Sequence, residues 1–202
     1  GMKLCVLMGS ARAQGNTAAL LEEFLRQWEE LGEESQVISL SQSRIEPCLG
    51  CMACQACMDG LGCVQQDDFA AIFQEISGAD LILLATPIYA WYCTAPMKAL
   101  LDRAVYAANK NYGPQKGPAL LAGGCVASLT TCGYPPEKGA DLWEEGLRRM
   151  CRHSKMNYLG MFCGRDLGRN VPFLDEEKRQ GVRAFARTLH AALEVTQHER
   201  IT

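Results

Sequence analysis

Two short apolar runs constrain the fold of this chain more than any other feature. Every residue after the first is apolar in Lys3–Met8 and again in Asp80–Ala85. Strands of a parallel sheet show this pattern, because helices cover both faces of the sheet and neither face meets water. The two runs therefore predict an α/β fold in which both are buried strands.

Strand and helix patterns alternate along the rest of the chain. The predicted strands are Lys3–Met8, Gln36–Leu40, Asp80–Ala85, Gly124–Thr130 and Met156–Cys163. The predicted helices begin near Thr17, near Phe69, near Pro96, at Leu142 and at Asp175. Asp67 or Asp68 is expected to cap the second helix. This alternation is typical of a parallel sheet covered on both faces, with ligands at the carboxyl ends of its strands.

The composition excludes several classes of function. The chain has 202 residues and a net charge of −3, which predicts one globular domain, residues 2–202, with no affinity for nucleic acid. No segment reaches the ~18 apolar residues that a membrane span requires. The N-terminal apolar run is also too short for the core of a signal peptide. We therefore expect a cytoplasmic protein with mostly reduced thiols and no membrane span.

The loop after the first predicted strand has the residues of an anion-binding site. A helix begins immediately afterwards, so its free N–H groups and its macrodipole can hold a negative charge. The candidate binding residues are Ser10, Arg12, Gln14, Gly15, Asn16 and Thr17. The loop matches neither the Walker motif nor the dinucleotide fingerprint, which favours a terminal monophosphate. An ordinary strand–helix turn with a capped helix is the alternative.

The loops after the third and fourth predicted strands suit a planar ring. Three aromatic residues, Tyr89, Trp91 and Tyr92, follow the third strand and can form a flat wall. The candidate binding residues in the two loops are Pro87, Ile88, Tyr89, Trp91, Thr131, Cys132 and Gly133. Packing in the core or at a dimer interface is the alternative for the aromatic rings. A monophosphate site beside a flat wall describes FMN.

A cysteine-rich loop at residues 47–63 is the second functional feature. Five of the 11 cysteines lie within 16 residues, at positions 48, 51, 54, 57 and 63. Runs with this spacing wrap iron–sulfur clusters. Zinc sites usually separate their two cysteine pairs by a dozen or more residues, and disulfides require an oxidising compartment. An iron–sulfur cluster, zinc and plain thiols are all open interpretations from the residues alone.

The other six cysteines divide into two groups. Cys132 is expected near the planar ring, because it follows the fourth strand. The remaining five are expected to be small buried residues: Cys5, Cys93, Cys125, Cys151 and Cys163.

Short motifs between residues 3 and 134 carry a resemblance to a known family. They are Gly9-Ser10-x-Arg12-x-x-Gly15-Asn16-Thr17, Pro47-Cys48-x-Gly50-Cys51-x-x-Cys54, Gly62-Cys63-x-x-x-Asp67-Asp68, Ala79-Asp80, Thr86-Pro87-Ile88-Tyr89, Met97-Lys98 and Asp102-Arg103. Through them the chain resembles the flavodoxin-like NADPH-dependent FMN reductase superfamily. Within it, the chain is most similar to the iron–sulfur flavoproteins and to NAD(P)H-dependent quinone or flavin reductases.

The resemblance implies a flavodoxin-like three-layer fold, with a five-stranded parallel sheet of order 2-1-3-4-5. It also implies bound FMN, NAD(P)H as electron donor, and a homodimer or homotetramer. The residues that it places around the phosphate are Ser10, Arg12, Asn16 and Thr17. Along the isoalloxazine ring it places Pro87, Ile88 and Tyr89, with Thr131, Cys132 and Gly133 at the far edge.

A [4Fe-4S] cluster is the cofactor that the resemblance implies for the cysteine-rich loop. The expected ligands are Cys48, Cys51, Cys54 and Cys63. Pro47 before the first cysteine and Gly50 before the second match the family. A competing register fits the family's spacing better, and its ligands are Cys51, Cys54, Cys57 and Cys63.

The leading interpretation is an oxidoreductase that moves electrons from NAD(P)H through FMN to a quinone, a flavin or another small-molecule or protein acceptor. No acid–base side chain is obligatory for this chemistry, so we nominate no catalytic residue. The alternatives are a non-enzymatic electron-transfer flavoprotein that docks to ferredoxin-like partners, and a thiol or metal sensor. Oxidation of NAD(P)H in the presence of a quinone separates the first interpretation from the other two.

Overall fold

The computed structural model describes residues 1–202 and contains one five-stranded sheet. The strands are β1 (Lys3–Met8), β2 (Glu34–Ser39), β3 (Leu81–Pro87), β4 (Cys125–Cys132) and β5 (Asn157–Arg165). All neighbouring strands are parallel, and their order is β2-β1-β3-β4-β5. The predicted flavodoxin-like sheet is confirmed.

Six helices connect and cover these strands. They are α1 (Asn16–Glu30), α2 (Phe69–Ser77), α3 (Ala95–Ala108), α4 (Pro136–Gly139), α5 (Asp141–Ser154) and α6 (Glu176–Ile201). Only α4 is missing from the sequence-based prediction, because a helix of 4 residues is too short to show a periodicity. None of the helices is long and apolar enough to cross a lipid bilayer.

The sheet separates two hydrophobic cores. On one face α1 and α6 pack against the sheet, and on the other face α2, α3 and α5 do so. Neighbouring residues of β1 point into different cores, since Val6 lies in the first and Leu7 in the second. Both positions are inaccessible to water, which explains why the run is apolar at consecutive residues.

Strands β3, β4 and β5 each continue two residues beyond their predicted ends. The added residues of β3, Thr86 and Pro87, pair with Thr130 and Thr131 of β4. Thr86 and Thr130 are completely buried although they are polar. Strand pairing depends on backbone hydrogen bonds, which polar residues make as well as apolar ones. The predicted strands ended where the apolar side chains end, so they stopped short of the polar residues at the carboxyl edge of the sheet.

The start of α2 separates the roles of two neighbouring aspartates. Asp68 holds the N-cap position, but its carboxylate accepts a hydrogen bond from the backbone of Arg44 at 2.6 Å. Asp67 accepts the N–H of Phe69 at 3.1 Å instead. The carboxylate of Asp67 therefore caps the helix and also reaches the cysteine-rich loop.

Candidate functional site

A cleft of about 150 Å³ opens at the carboxyl edge of the sheet. Its lining residues are Ser10, Arg12, Asn16, Thr17, Pro87, Ile88, Tyr89, Thr131, Cys132, Gly133 and Asp166. Three predicted cofactor-binding residues do not line it: Gln14, Gly15 and Trp91. The loops after β1, β3 and β4 thus converge at one place, as expected for the strand ends of a parallel sheet.

Hydrogen bonds hold the three loops together. The hydroxyls of Thr17 and Thr131 lie 2.9 Å apart and join the start of α1 to the end of β4. The N–H of Ile88 donates to the carbonyl of Thr131 at 2.8 Å. Thr94 donates to the carbonyl of Gly9 at 2.8 Å. A Cβ at Gly9 would lie 2.8 Å from the hydroxyl of Thr94, so only glycine fits at this crossing.

The loop between β1 and α1 leaves the first N–H groups of the helix free. Gly15 occupies the N-cap position and has no side chain that could accept from them. The first turn carries no acidic residue. The backbone N–H of Arg12 donates to Ser10 Oγ at 3.1 Å, and the Arg12 side chain lies against Gly15. A helix N-terminus with a nearby guanidinium suits a dianionic phosphate. Gln14 is exposed outside the cleft.

Asp166 is a cleft residue that the sequence-based prediction missed. It follows β5, and its carboxylate accepts a hydrogen bond from the Asn16 amide at 3.1 Å. Its backbone N–H donates to the carbonyl of Cys132 at 2.8 Å. Its position could have indicated its role, because Asp166 follows the carboxyl end of the fifth strand, at the same edge of the sheet as the other loops.

The aromatic segment after β3 forms a tight turn with an unusual backbone. Tyr89 and Tyr92 pair across two residues, Ala90 and Trp91, whose φ angles are 49° and 64°. Two successive left-handed residues define the type I′ turn, which normally takes Asn and Gly. A β-carbon at each position makes the turn strained, and strain of this kind concentrates at functional sites.

The three aromatic rings of this turn have different surroundings. Tyr89 lines the cleft and is exposed. Trp91 stacks on Tyr134 at 6.0 Å between ring centroids and 14° between ring planes. Tyr92 packs edge-on against the buried Trp143 at 5.2 Å. Only one of the three predicted wall residues therefore faces the cleft, because the turn directs the other two outward and inward.

The cysteine-rich loop surrounds a second cavity of about 160 Å³. Its lining residues include Cys48, Cys51, Cys54 and Cys63, the four predicted ligands, together with Arg103 and Tyr106. Cys57 lies outside this lining, and its thiol approaches Asp59 Oδ1 at 3.6 Å. All eleven cysteines are free thiols, and no three His, Cys, Asp or Glu side chains are arranged to hold a metal ion. The four sulfurs share a cavity without converging on one point.

Lys110, just beyond the end of α3, connects two segments of the cysteine-rich loop. Its side chain is completely buried, and Nζ donates to the carbonyls of Cys54 at 2.9 Å and Leu61 at 3.1 Å. No carboxylate forms a salt bridge with it. A buried cation without a counter-charge is expensive, so this position favours an anionic group in the loop. The prediction from sequence missed Lys110, which has no local motif.

Arg103 closes the other end of the loop through a buried ion pair. Its guanidinium lies 2.6 Å from Asp67, and both side chains are almost inaccessible, at 2% and 1%. The same guanidinium donates to the Glu46 carbonyl at 3.1 Å and lies 3.4 Å from Cys63 Sγ. Burial alone would raise the pKa of Asp67. The hydrogen bonds from Arg103 and from the N–H groups of Glu46 and Phe69 outweigh burial and lower that pKa to about 2.

Gln55 anchors the middle of the loop to the end of α3. Its amide donates to the carbonyls of Tyr106 at 2.7 Å and Asn109 at 3.1 Å, and accepts the N–H of Tyr112 at 2.9 Å. These bonds satisfy carbonyls that a helix end would otherwise leave unpaired. Gly62 has φ 73°, and a Cβ there would lie 2.6 Å from Cys57 Cβ, so the loop closes only with glycine.

A larger groove, of about 750 Å³, runs between α1 and the outer edge of β2. Its lining carries four glutamates, Glu22, Glu29, Glu33 and Glu34, against two arginines, Arg12 and Arg26, so its charge is net negative. Carboxylates repel a phosphate, so the larger volume is the poorer candidate for a flavin nucleotide. The smaller cleft at the strand ends is the candidate site.

Comparison with known proteins identifies the family. The family model described as NADPH-dependent FMN reductase matches residues 2–161. The chain belongs to this family. The predicted membership of the FMN reductase superfamily is therefore confirmed.

Several relatives are named iron–sulfur flavoproteins. One from Methanocaldococcus jannaschii is 28% identical over 98% of this chain and 99% of its own length. One from Methanosarcina thermophila is 34% identical over 61% of this chain and 64% of its own length. One from Archaeoglobus fulgidus is 31% identical over 67% of this chain and 58% of its own length. The matches to the last two thus span less than two thirds of those proteins.

Solved structures agree on the fold at low sequence identity. The NAD(P)H:quinone oxidoreductase from Methanothermobacter marburgensis superposes with a TM-score of 0.67 at 19% identity, over 96% of this chain and 98% of that chain. The FMN-dependent NADH-azoreductase from Bacillus anthracis, solved with FMN, superposes with a TM-score of 0.67 at 14% identity, over 94% and 99%. These similarities show the flavodoxin-like fold.

Proposed function

We propose that the protein binds FMN in the cleft at the strand ends and uses it to move electrons from NAD(P)H to an acceptor. The observation that carries this proposal is the junction, in one cleft, of a free helix N-terminus with the loops after β3 and β4. The family membership and the FMN-containing azoreductase of the same fold support it. Bound FMN would supply the hydride and electron chemistry.

The residues of the chain would then bind and orient. The N–H groups of α1, the hydroxyls of Ser10 and Thr17 and the guanidinium of Arg12 would hold the phosphate. Pro87, Ile88 and Tyr89 would line one edge of the ring, and residues 131–133 the other. No side chain in the cleft is required to transfer a proton, so we assign no catalytic residue.

The decisive experiment combines three measurements, beginning with anaerobically purified protein. The visible spectrum should show a flavin, and titration of the apo protein should show preference for FMN over FAD. Steady-state assays should then show NADH or NADPH oxidation that depends on a quinone or a free flavin. Flavin binding without turnover would favour the alternative function, an electron-transfer flavoprotein that docks to a ferredoxin-like partner.

We further propose that the cysteine-rich loop binds a [4Fe-4S] cluster through Cys48, Cys51, Cys54 and Cys63. These thiols line one cavity, and relatives are named iron–sulfur flavoproteins. The buried ammonium of Lys110 supports an anionic occupant, because a cluster held by four thiolates is negatively charged. Zinc bound by four thiolates would also place negative charge beside the Lys110 ammonium. The cysteine spacing and the names of the relatives favour an iron–sulfur cluster over zinc.

Iron and sulfide assays after anaerobic reconstitution test this second proposal. Lys110→Met should retain less iron than the unchanged protein, whereas Lys155→Met, at the exposed end of α5, should not differ. Zinc without sulfide in the unchanged protein would contradict the cluster, and no bound metal would leave the loop as a thiol site.

A homodimer or homotetramer is the proposed assembly. Large apolar side chains are exposed on and beside the cysteine-rich loop: Leu49, Met52, Val64, Tyr106 and Tyr112. Exposed apolar area of this kind usually marks a contact surface. Light scattering at micromolar concentration should show more than one subunit, and a monomer would contradict the proposal. We propose a cytoplasmic location, in keeping with the free thiols.

A further inference from the structure

Two cysteines outside the cysteine-rich loop form a close pair beside the cleft at the strand ends. Cys132 is the last residue of β4 and lines the cleft, and Cys163 lies near the end of β5. Their sulfurs are 3.4 Å apart. We infer that Cys132 and Cys163 are a redox-active dithiol that closes reversibly to a disulfide. Their position does not depend on whether the cysteine-rich loop holds a metal.

The strand register places the two side chains on the same face of the sheet. Cys163 lies beside Thr130, and Cys132 lies beside Arg165, so the two cysteines are diagonal neighbours. A disulfide needs about 2.05 Å between its sulfurs, so the pair must approach by about 1.4 Å. Both residues lie close to strand ends, where the backbone can adjust. Because closing the bond requires this movement, the disulfide would be strained and readily reduced, which favours a reversible role over a structural one.

The environment of the pair differs from that of the other cysteines in the core. The contact between the two sulfurs lowers the pKa of Cys163, against the effect of burial, and the same contact together with burial raises the pKa of Cys132. Burial raises the pKa of Cys5 and Cys151 to about 11 and that of Cys93 to about 12. Cys163 is also partly exposed, contrary to the expectation of a buried core residue. Because Cys163 is the more exposed of the two thiols, it is the member that meets an external oxidant first.

The oxidant that suits this arrangement is a low-molecular-weight disulfide, such as glutathione disulfide. The thiolate of Cys163 attacks one sulfur of the oxidant, which forms a mixed disulfide and releases a thiolate. Cys132 then loses its proton to that thiolate and attacks the Cys163 sulfur, which expels the second thiolate. The protein loses two electrons and the reagent gains them, and the Cys132 proton appears on the released thiol.

Peptide mapping tests the inference on the whole protein. After treatment with glutathione disulfide and alkylation of free thiols, trypsin should yield residues 117–138 linked to residues 156–165. Dithiothreitol should separate the two peptides. Cys125 lies in the first peptide, so fragmentation must place the link at Cys132, and Cys125→Ser should retain it. Cys132→Ser and Cys163→Ser should each lose it.

Two results would overturn the inference. One is a stable glutathione adduct on Cys163 in the unchanged protein, because it would show that Cys132 cannot resolve the mixed disulfide. The other is alkylation of both cysteines after treatment, at glutathione disulfide concentrations that oxidise an ordinary reactive dithiol. Both results are read from the unchanged protein, so they do not depend on the folding of the serine variants.

Discussion

The cleft at the strand ends and the cavity of the cysteine-rich loop are built by different means. The cleft is made of loops that leave neighbouring strand ends, and backbone hydrogen bonds such as Ile88 to Thr131 hold it. The cysteine cavity lies on a long loop, and three buried side chains hold it: Gln55 of the loop itself, Arg103 of α3 and Lys110 just beyond α3. Strand order therefore determines the first site, whereas a few polar side chains determine the second.

This difference predicts where each site is vulnerable. A single substitution in the cleft should weaken one contact and leave the loops in place, because the sheet still positions them. A substitution among the buried polar residues of the cysteine loop should disturb several segments together. Five measurements test this contrast, in order of decreasing effect.

The largest effect should come from the cysteines that line the cavity. Cys54→Ser should lose the reconstituted cluster completely, since a [4Fe-4S] cluster normally needs four thiolate ligands. Cys57→Ser is the matched control, because Cys57 lies outside the cavity and should leave the iron and sulfide content unchanged. Loss of the cluster in Cys57→Ser and its retention in Cys48→Ser would show that the competing register is correct.

Removal of the buried partner of Arg103 should cost the most stability. Asp67→Ala should lower the free energy of unfolding by about 3–5 kcal/mol, because it leaves a guanidinium buried without its counter-charge. Asp102→Ala is the control on α3, where an exposed pair with Lys98 should contribute at most about 1 kcal/mol. Urea titrations measure both. Equal losses would contradict a special role for the buried pair.

The carboxylate of Asp67 should also make the free energy of unfolding depend on pH in the acid range. The pKa of Asp67 is about 2 in the folded protein, below its usual value, so its contribution is present at pH 5 and is lost as the pH falls towards 2. The loss should be about 2 kcal/mol relative to Asp67→Asn, which cannot titrate. The free energies of unfolding of the unchanged protein and of Asp67→Asn should be compared between pH 5 and pH 2.5. A difference that stays constant over this range would contradict the prediction.

A smaller effect is expected in the cleft. Arg12→Ala should weaken FMN binding by about 1–3 kcal/mol, the range for hydrogen bonds to charged groups, and should leave the free energy of unfolding almost unchanged. Arg26→Ala is the control, because Arg26 lines the larger acidic groove and pairs with Glu22. Fluorescence titration measures the affinity. A larger loss of FMN affinity in Arg26→Ala than in Arg12→Ala would indicate that the flavin binds in the groove instead of the cleft.

The smallest effect concerns the strained turn beside the cleft. Ala90→Gly should stabilise the protein by about 0.5–1 kcal/mol, because glycine adopts a positive φ without steric cost. Ala13→Gly, in an exposed loop with an ordinary φ, should be slightly destabilising, since glycine adds freedom to the unfolded chain. Destabilisation by Ala90→Gly would show that the turn is not strained.

Much of the fold and of the cleft could be predicted without the structure. The apolar run of β3 and its parallel pairing follow from residue type, and the carboxyl-edge rule then assembles Ser10, Thr17 and Thr131 from three separate loops. The rule could also have included Asp166 but was not applied to β5. The orientations of Trp91 and Tyr92 could not be predicted, because a two-residue turn with two left-handed residues gives no signal when the residues are Ala and Trp.

Local patterns in the chain were sufficient to predict the order of the elements, the two faces of the sheet and the loops that meet at its edge. These properties depend on the local periodicity of apolar residues and on the residue types that strands prefer, and both can be seen in the sequence without the fold. The contacts of Lys110 with Cys54, of Arg103 with Cys63 and of Cys132 with Cys163 became visible only in the folded chain. Each of those contacts joins residues at least 31 positions apart, so no local pattern predicts it, and its energy depends on the burial of polar groups that the fold imposes.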